Sequence, residues 1–198
     1  MVDGTGIARP KMAVAVLAAA ILSCIEPGPV AADDAALWRA LGSGGHVALL
    51  RHALAPGTGD PAAFVLGDCG TQRNLSQEGR DQAARIGARF AANGIERARV
   101  FSSQWCRCLE TAGRLGLGPV EELPSLNSFF GRFERRERQT RDLRDWLAGQ
   151  ALDQPVVLVT HQVNITALTG VYPGSGELVV VRRSGDGALS VLGSIETD

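Results

Sequence analysis

Three short β-rich runs constrain this chain most: Val47-Ala48-Leu49-Leu50, Val100-Phe101-Ser102-Ser103 and Val156-Val157-Leu158-Val159-Thr160. Each leads, at once or within a turn, to a cationic or imidazole side chain: Arg51-His52, Arg107 and His161 respectively. Helix-like sequence separates each run from the next, as in an α/β domain with a parallel sheet. Such a sheet gathers the residues that follow its strands at one edge, where open α/β sheets bind their ligands. The expected fold is a three-layer α/β/α sandwich with a mostly parallel central sheet.

The rest of the chain fills in this frame. Asp33 or Asp34 caps a short helix through Leu41, and Gly42-Ser43-Gly44-Gly45 ends it before a strand from His46 to Arg51. Residues 53–74, with Pro56, Gly57, Gly59 and Pro61, read as a long loop, which in a compact domain is more often functional than idle. Ser76 caps a helix in which Ala83, Ile86, Phe90 and Ala91 recur at helical spacing and Asn93-Gly94 is the stop. A strand at Arg99–Ser102 precedes a helix from about Gln104 to Leu115. Residues 133–148 form a charged helix with Leu143, Trp146 and Leu147 inward. The strand Val156–Thr160 passes into a helix from Gln162. A closing hairpin pairs Glu177–Arg182 with Leu189–Leu192 around Ser184-Gly185-Asp186-Gly187.

The first 32 residues have the features of an export signal: Arg9 and Lys11, an apolar stretch from Met12 to Leu22, and Val30-Ala31-Ala32 before an expected cleavage point. Residues 1–32 are therefore expected to be a signal peptide, 33–198 the functional domain, and the protein periplasmic or secreted. Ile21-Leu22-Ser23-Cys24 resembles a lipobox with an atypical second position, so lipoprotein anchoring through Cys24 is the alternative. The apolar stretch is short for a bilayer span, and no stable membrane insertion is expected after signal removal. The first 32 residues hold two bases (Arg9, Lys11) and two acids (Asp3, Glu26), so the whole-chain charge of −1 is unchanged without them. Near-neutrality argues against nucleic-acid binding. Cys69, Cys106 and Cys108 remain, and in an oxidising compartment one disulfide and one thiol are expected. Zinc is the weaker alternative, because Cys106 and Cys108 are unusually spaced and have no neighbouring His.

Four ordered segments carry a more specific signal. Leu50-Arg51-His52-Ala53 resembles the signature of the histidine phosphatase superfamily, with Ala53 where Gly is usual. Leu75-Ser76-Gln77-Glu78-Gly79-Arg80-Asp81-Gln82-Ala83 is similar to that family's helix start. Ser102 to Arg107, followed by Glu110-Thr111-Ala112, resembles its second-arginine segment, with Gln104 in a common Pro position. Val159-Thr160-His161 resembles its second-histidine strand, with Gln162 replacing Gly. Either histidine alone would read as an ordinary loop or core residue; four segments in order do not. His46 lacks such context and reads as structural.

The resemblance implies a phosphoglycerate mutase-like fold and a phosphomonoesterase whose site residues are Arg51, His52, Arg107 and His161, with no cofactor and no metal. A neutral imidazole attacks phosphorus, so His52 is the expected nucleophile. Arg51 and Arg107 offer forks for phosphoryl oxygens, His161 would add a third cationic donor if protonated, and the N–H groups of Gln162 and Val163 would face the anion. Cys108 stands where the family carries a small buried residue, which makes it the expected free thiol and pairs Cys69 with Cys106. The expected partner is a small-molecule or glycan phosphate ester, with the oligomeric state open. The narrower resemblance is to small exported members that include lipopolysaccharide core heptose phosphatases.

One departure stands out. Many members carry a proton-donating Glu where this chain has Leu126-Asn127-Ser128-Phe129-Phe130-Gly131. Asp68 and Glu177 are the substitutes considered, and the acid stays unassigned. That gap motivates the alternative of a catalytically silent phosphate-binding or sensor domain, whereas retention of His52 favours an enzyme.

Overall fold

The computed structural model describes residues 1–4 and 33–197. Residues 5–32, with most of the expected signal peptide, the cleavage point and Cys24, lie outside the described residues. From Asp33 the order is α1 (Asp34–Gly42), β1 (His46–Arg51), α2 (Gln77–Ala92), β2 (Arg99–Ser102), α3 (Cys106–Arg114), β3 (Val120–Glu122), α4 (Arg136–Ala148), β4 (Val156–Thr160), α5 (Gln162–Thr169), β5 (Leu178–Arg183) and β6 (Leu189–Ile195). Among the described residues no helix is long and apolar enough to cross a membrane.

The strands form one six-stranded sheet in the order β3-β2-β4-β1-β5-β6. The first four run parallel, and β5 and β6 close the other edge as an antiparallel hairpin. Alternation along the strands supplies both faces. Ala48 and Leu50 of β1 join Val157 and Val159 of β4 under α1, α2 and α3, with Trp38, Ile86 and Phe90 in that layer. Val47, Leu49, Val156 and Leu158 point the other way onto α4 and α5, against Leu143, Leu147 and Ile165. All five residues of β4 are buried, as a central strand covered on both faces requires. This is the three-layer, mostly parallel arrangement that the three β-rich runs imply.

Local differences have local causes. β3 has no counterpart in the sequence pattern: it is a three-residue edge strand whose Glu121 and Glu122 are exposed, so no apolar alternation marks it. α3 starts at Cys106 rather than Gln104: Trp105, its N-cap, is extended at φ −71° and ψ 135°, and the Gln104 N–H before it donates to Asn127 Oδ1 at 2.9 Å. Residues 133–135 form a 3-10 turn before α4, and β6 runs on to Ile195. In α2, Ala83, Ile86 and Phe90 are buried as expected, but Ala91 faces solvent.

Candidate active site

The parallel register brings the three run ends to one edge. Arg51 lies opposite Thr160 on β4, and Ser102 lies opposite Val159. The ladder extends one residue past each strand: the His52 N–H donates to Thr160 O and the Ser103 N–H to Val159 O, both at 2.9 Å. His52 and His161 therefore leave adjacent strands, and their rings meet edge to face at 5.4 Å. Arg107, in the first turn of α3, donates through Nη2 toward His161 Nδ1 at 3.4 Å. All four sequence-predicted residues, Arg51, His52, Arg107 and His161, line one cleft of about 170 Å³. His46 does not join them; it begins β1 at the opposite end of the strand.

The helix-start motif explains how the segment after His52 is fixed. Ser76 Oγ caps α2 by accepting from the Gly79 N–H, and Gln82 Oε1 accepts from the Leu54 N–H, both at 3.0 Å. A Cβ at Gly79 would sit 2.0 Å from Leu54 O, so only glycine lets the helix approach this closely. Ala53 fits where Gly is usual: it is buried, and its N–H donates to Thr111 Oγ1 at 3.1 Å.

Both histidines are neutral. His52 is 2% exposed, and burial, reinforced by the Arg107 charge, pushes its pKa down to about 3. Its Nδ1 lies 2.8 Å from Ala53 O, an acceptor only, so Nδ1 carries the hydrogen and Nε2 the lone pair. His161 is held well below the usual imidazole range, again by burial first and Arg107 second. Arginine can only donate, so His161 Nδ1 accepts and Nε2–H turns to Ser103 Oγ at 2.9 Å. His161 thus supplies hydrogen bonding rather than the third positive charge. That charge comes from Arg73, which lines the same cleft.

Arg73 and Asp60, both on the long loop, are the residues that sequence reasoning missed. Asp60 takes the Arg107 fork with both oxygens, Nη1–Oδ1 at 2.7 Å and Nη2–Oδ2 at 3.2 Å. It also accepts from the Trp105 indole N–H at 2.9 Å and the Arg73 N–H at 3.2 Å. Burial acts to raise the Asp60 pKa, but the Arg107 hydrogen bonds and charge outweigh it and hold the carboxyl below its usual range. Arg73 donates through Nε to Gly59 O at 2.8 Å and through Nη1 to Ala55 O. Nothing local marks either residue: Asp60 sits in a Gly/Pro-rich loop, and Arg73 is one arginine among many.

Neither Asp68 nor Glu177, the two substitutes for the missing acid, reaches the cleft. Asp68 caps a 3-10 turn at Cys69–Thr71, accepting from the Gly70 N–H, and Glu177 accepts from the Gly174 N–H. Among the described residues Asp60 is the only carboxylate lining the cleft. The Leu126–Gly131 stretch brings Ser128 and Phe130 to the cleft wall but no carboxylate, and is anchored through Asn127, whose Oδ1 accepts from the Gln104 N–H and whose Nδ2 donates to Gln104 Oε1 at 2.8 Å.

Cys69 and Cys106 form a disulfide with Cα atoms 5.7 Å apart, tying the loop to the residue before Arg107. Cys108 is the free, buried thiol, and burial pushes its pKa up to about 12. Trp105 stacks on Phe64 of the loop at 5.0 Å and meets His161 edge-on at 5.5 Å.

Chemically, the cleft's lining suits an anion. Three arginines face one carboxylate there, and the Nε atoms of Arg51 and Arg107 are buried without an acceptor. Gln162 and Val163, in the first turn of α5, also line it, and first-turn N–H groups have no intrahelical partner. A larger groove of about 590 Å³ shares none of these residues.

An α/β domain with an arginine-and-histidine anion cleft at the carboxyl edge of its parallel strands is the class this fold and site define. Residues 47–155, more than half of the chain, match the model of the histidine phosphatase superfamily (branch 1), and the chain belongs to that superfamily. The matched region holds Arg51, His52 and Arg107 but ends before His161. No curated protein matches the sequence. Among solved structures, the protein histidine phosphatase SixA, complexed with tungstate, is similar with TM-score 0.56 and 17% identity over 77% of this chain and 97% of its own. A phosphoserine phosphatase from Entamoeba histolytica gives TM-score 0.57 at 12% identity over 77% of this chain and 98% of its own. A mycobacterial glucosyl-3-phosphoglycerate phosphatase gives 0.54 at 17% identity over 74% of this chain and 96% of its own. These likenesses establish the phosphoglycerate mutase-like fold; the narrower resemblance to heptose phosphatases is not supported by them.

Proposed function

We propose that this protein is an exported, metal-independent phosphoric monoester hydrolase that works through a phosphohistidine on His52. The observation that carries the reading is a buried, neutral His52, with its lone pair on Nε2, inside a cleft lined by three arginines. Arg51, Arg73 and Arg107 hold the non-bridging oxygens, helped by the first-turn N–H groups of α5. His52 Nε2 forms the N–P bond in line as the bond to the leaving oxygen breaks. His161 acts through its hydrogen bond with Arg107, keeping the fork aimed. Water then attacks phosphorus, the N–P bond breaks and neutral His52 returns.

Asp60 completes this cycle. Phosphoryl oxygens compete for the fork that Asp60 occupies in the free protein. A carboxylate displaced from its arginine and set beside an anion favours its protonated form. Protonated Asp60 donates to the leaving oxygen and recovers a proton from the water that hydrolyses the phosphoenzyme. The reading of a catalytically silent phosphate-binding domain rested on the missing acid, and Asp60 in the cleft removes that ground.

Export, with residues 1–32 as signal and 33–198 as the phosphatase domain, is supported by the signal-like amino terminus and by the disulfide at the cleft wall. Purified protein is expected to hydrolyse p-nitrophenyl phosphate equally well with and without EDTA. Activity abolished by chelator and restored by a metal would overturn the metal-free mechanism, and no turnover at all would overturn the enzyme reading.

A further inference from the structure

Phe130, Phe133 and Tyr172 are 50%, 59% and 74% exposed, and all three line one groove of about 240 Å³ with Phe129, Val163 and Ala167. Aromatic side chains bury large apolar areas when partnered, so three left open together mark a binding surface. This groove opens from the phosphate cleft: Phe130, Gln162, Val163 and Tyr172 line both. Phe130 also reaches the loop wall, because a Cβ at Gly59 would meet its ring at 3.6 Å.

Four polar side chains line the groove beside these rings: Gln162, Thr166, the Tyr172 phenol and the exposed Arg136. Gln162 Nε2 donates to Thr166 Oγ1 at 2.8 Å, and Thr166 Oγ1 donates to Val171 O at 2.7 Å. A sugar hydroxyl set against the faces of Phe130 and Phe133 would lose water without gaining a partner there, a net cost. An aromatic or compact aliphatic group would instead cover Phe130, Phe133 and Tyr172.

We infer that this groove seats the organic part of the substrate, and that the substrate class is a phosphomonoester of an apolar, preferably aromatic, alcohol rather than of a sugar or polyol. The inference rests on the phosphatase reading for its chemistry but not for its binding test. Binding is measured with two non-hydrolysable probes, benzylphosphonate and methylphosphonate, on the full protein. Turnover is measured with benzyl phosphate and glycerol 1-phosphate. Both esters release alkoxides, and the benzyl alkoxide is the more basic, so leaving-group chemistry alone favours the glycerol ester.

The expected result is benzylphosphonate binding at least about 10-fold tighter, with a kcat/KM ratio favouring benzyl phosphate by a similar factor. Both ratios should drop several-fold in Phe133→Ser and in Tyr172→Ser. These side chains are exposed, so the folds should survive, which far-UV circular dichroism would verify. Equal phosphonate affinities, or a preference unchanged in both variants, overturn the groove assignment whatever the turnover. A retained phosphonate preference with no turnover of either ester overturns the phosphatase reading and leaves the groove standing.

Discussion

His52, Ser103 and His161 follow β1, β2 and β4, and sheet-ladder hydrogen bonds fix the backbone where these strands end. Asp60 and Arg73 face them from a loop whose only helical turn is Cys69–Thr71, and are held through side chains: an ion pair, an indole hydrogen bond, a ring stack and a disulfide. One side of the cleft is thus positioned by backbone and buried core. The other is positioned by tethers that can be cut one at a time. The difference teaches that His52, the proposed nucleophile, and Arg107 belong to the part held by backbone and core, while Asp60, proposed to compete with phosphate for Arg107, belongs to the part held by separable tethers.

The largest effect should come from the backbone-held side. Arg107→Ala removes the fork proposed to hold the transferring group, and kcat/KM for p-nitrophenyl phosphate should fall by about 10³ or more. Arg107→Lys keeps the charge but loses the planar fork, so it should recover only part of that loss. If Arg107→Lys were as active as the parent, paired recognition of the phosphoryl oxygens would be the wrong account.

Asp60→Asn tests the tethered side. With alkyl phosphates, loss of the proton donor should cost about 10² to 10⁴ in kcat. With p-nitrophenyl phosphate, whose leaving group needs no proton, the cost should be small. A loss of equal size for both substrates would make Asp60 a positioning residue for Arg107 instead of a proton donor.

Cutting the covalent tether should act mainly on stability. The Cys69–Cys106 disulfide closes a separation of 37 residues, for which loop entropy gives on the order of 3 to 4 kcal/mol. Cys69→Ser/Cys106→Ser should lower the urea midpoint accordingly while retaining measurable turnover, because the backbone-held residues stay in place. Cys108, buried with a raised pKa, should resist alkylation in the folded protein. Complete loss of turnover in a variant that remains folded would mean that the loop and the strand ends form one rigid unit.

A smaller, graded effect should follow pH. His52 and His161 are neutral in the folded state, with pKa values held below the ordinary imidazole range. Below about pH 6.5 the unfolded chain therefore binds protons that the folded chain does not, and stability present at pH 7 is lost as pH falls. The slope is at most about 1.4 kcal/mol per pH unit for each histidine. Unfolding free energies at pH 7, 6 and 5 should decline less steeply in His161→Gln than in the parent. Identical slopes would show that His161 is not held neutral.

The same division decides what was legible in the sequence. Val47–Leu50 and Val156–Val159 are apolar because both faces of the sheet are covered, so the strands and the residues after them could be read from local pattern. The Ser76 cap and its Gln82 were legible because a helix start has a fixed local grammar. Asp60 and Arg73 were not, because their partners lie 47 residues away at Arg107 and on the backbone of their own loop. β3 escaped for a related reason: it pairs with β2 through backbone bonds and carries exposed glutamates. Cys106 and Cys108 are equally good cysteines by composition, and only the family resemblance separated the paired one from the buried one.

The central claim is that His52 Nε2 is the atom that accepts the phosphoryl group. Acid-free chemical quench during turnover of a ³²P-labelled aryl phosphate, followed by peptide mapping, tests it directly. The account predicts an alkali-stable, acid-labile phosphoenzyme on the peptide that contains His52, formed and lost at rates consistent with kcat and absent from folded His52→Ala. Label on His161, label on a serine, or steady turnover by His52→Ala near the parent rate would contradict it.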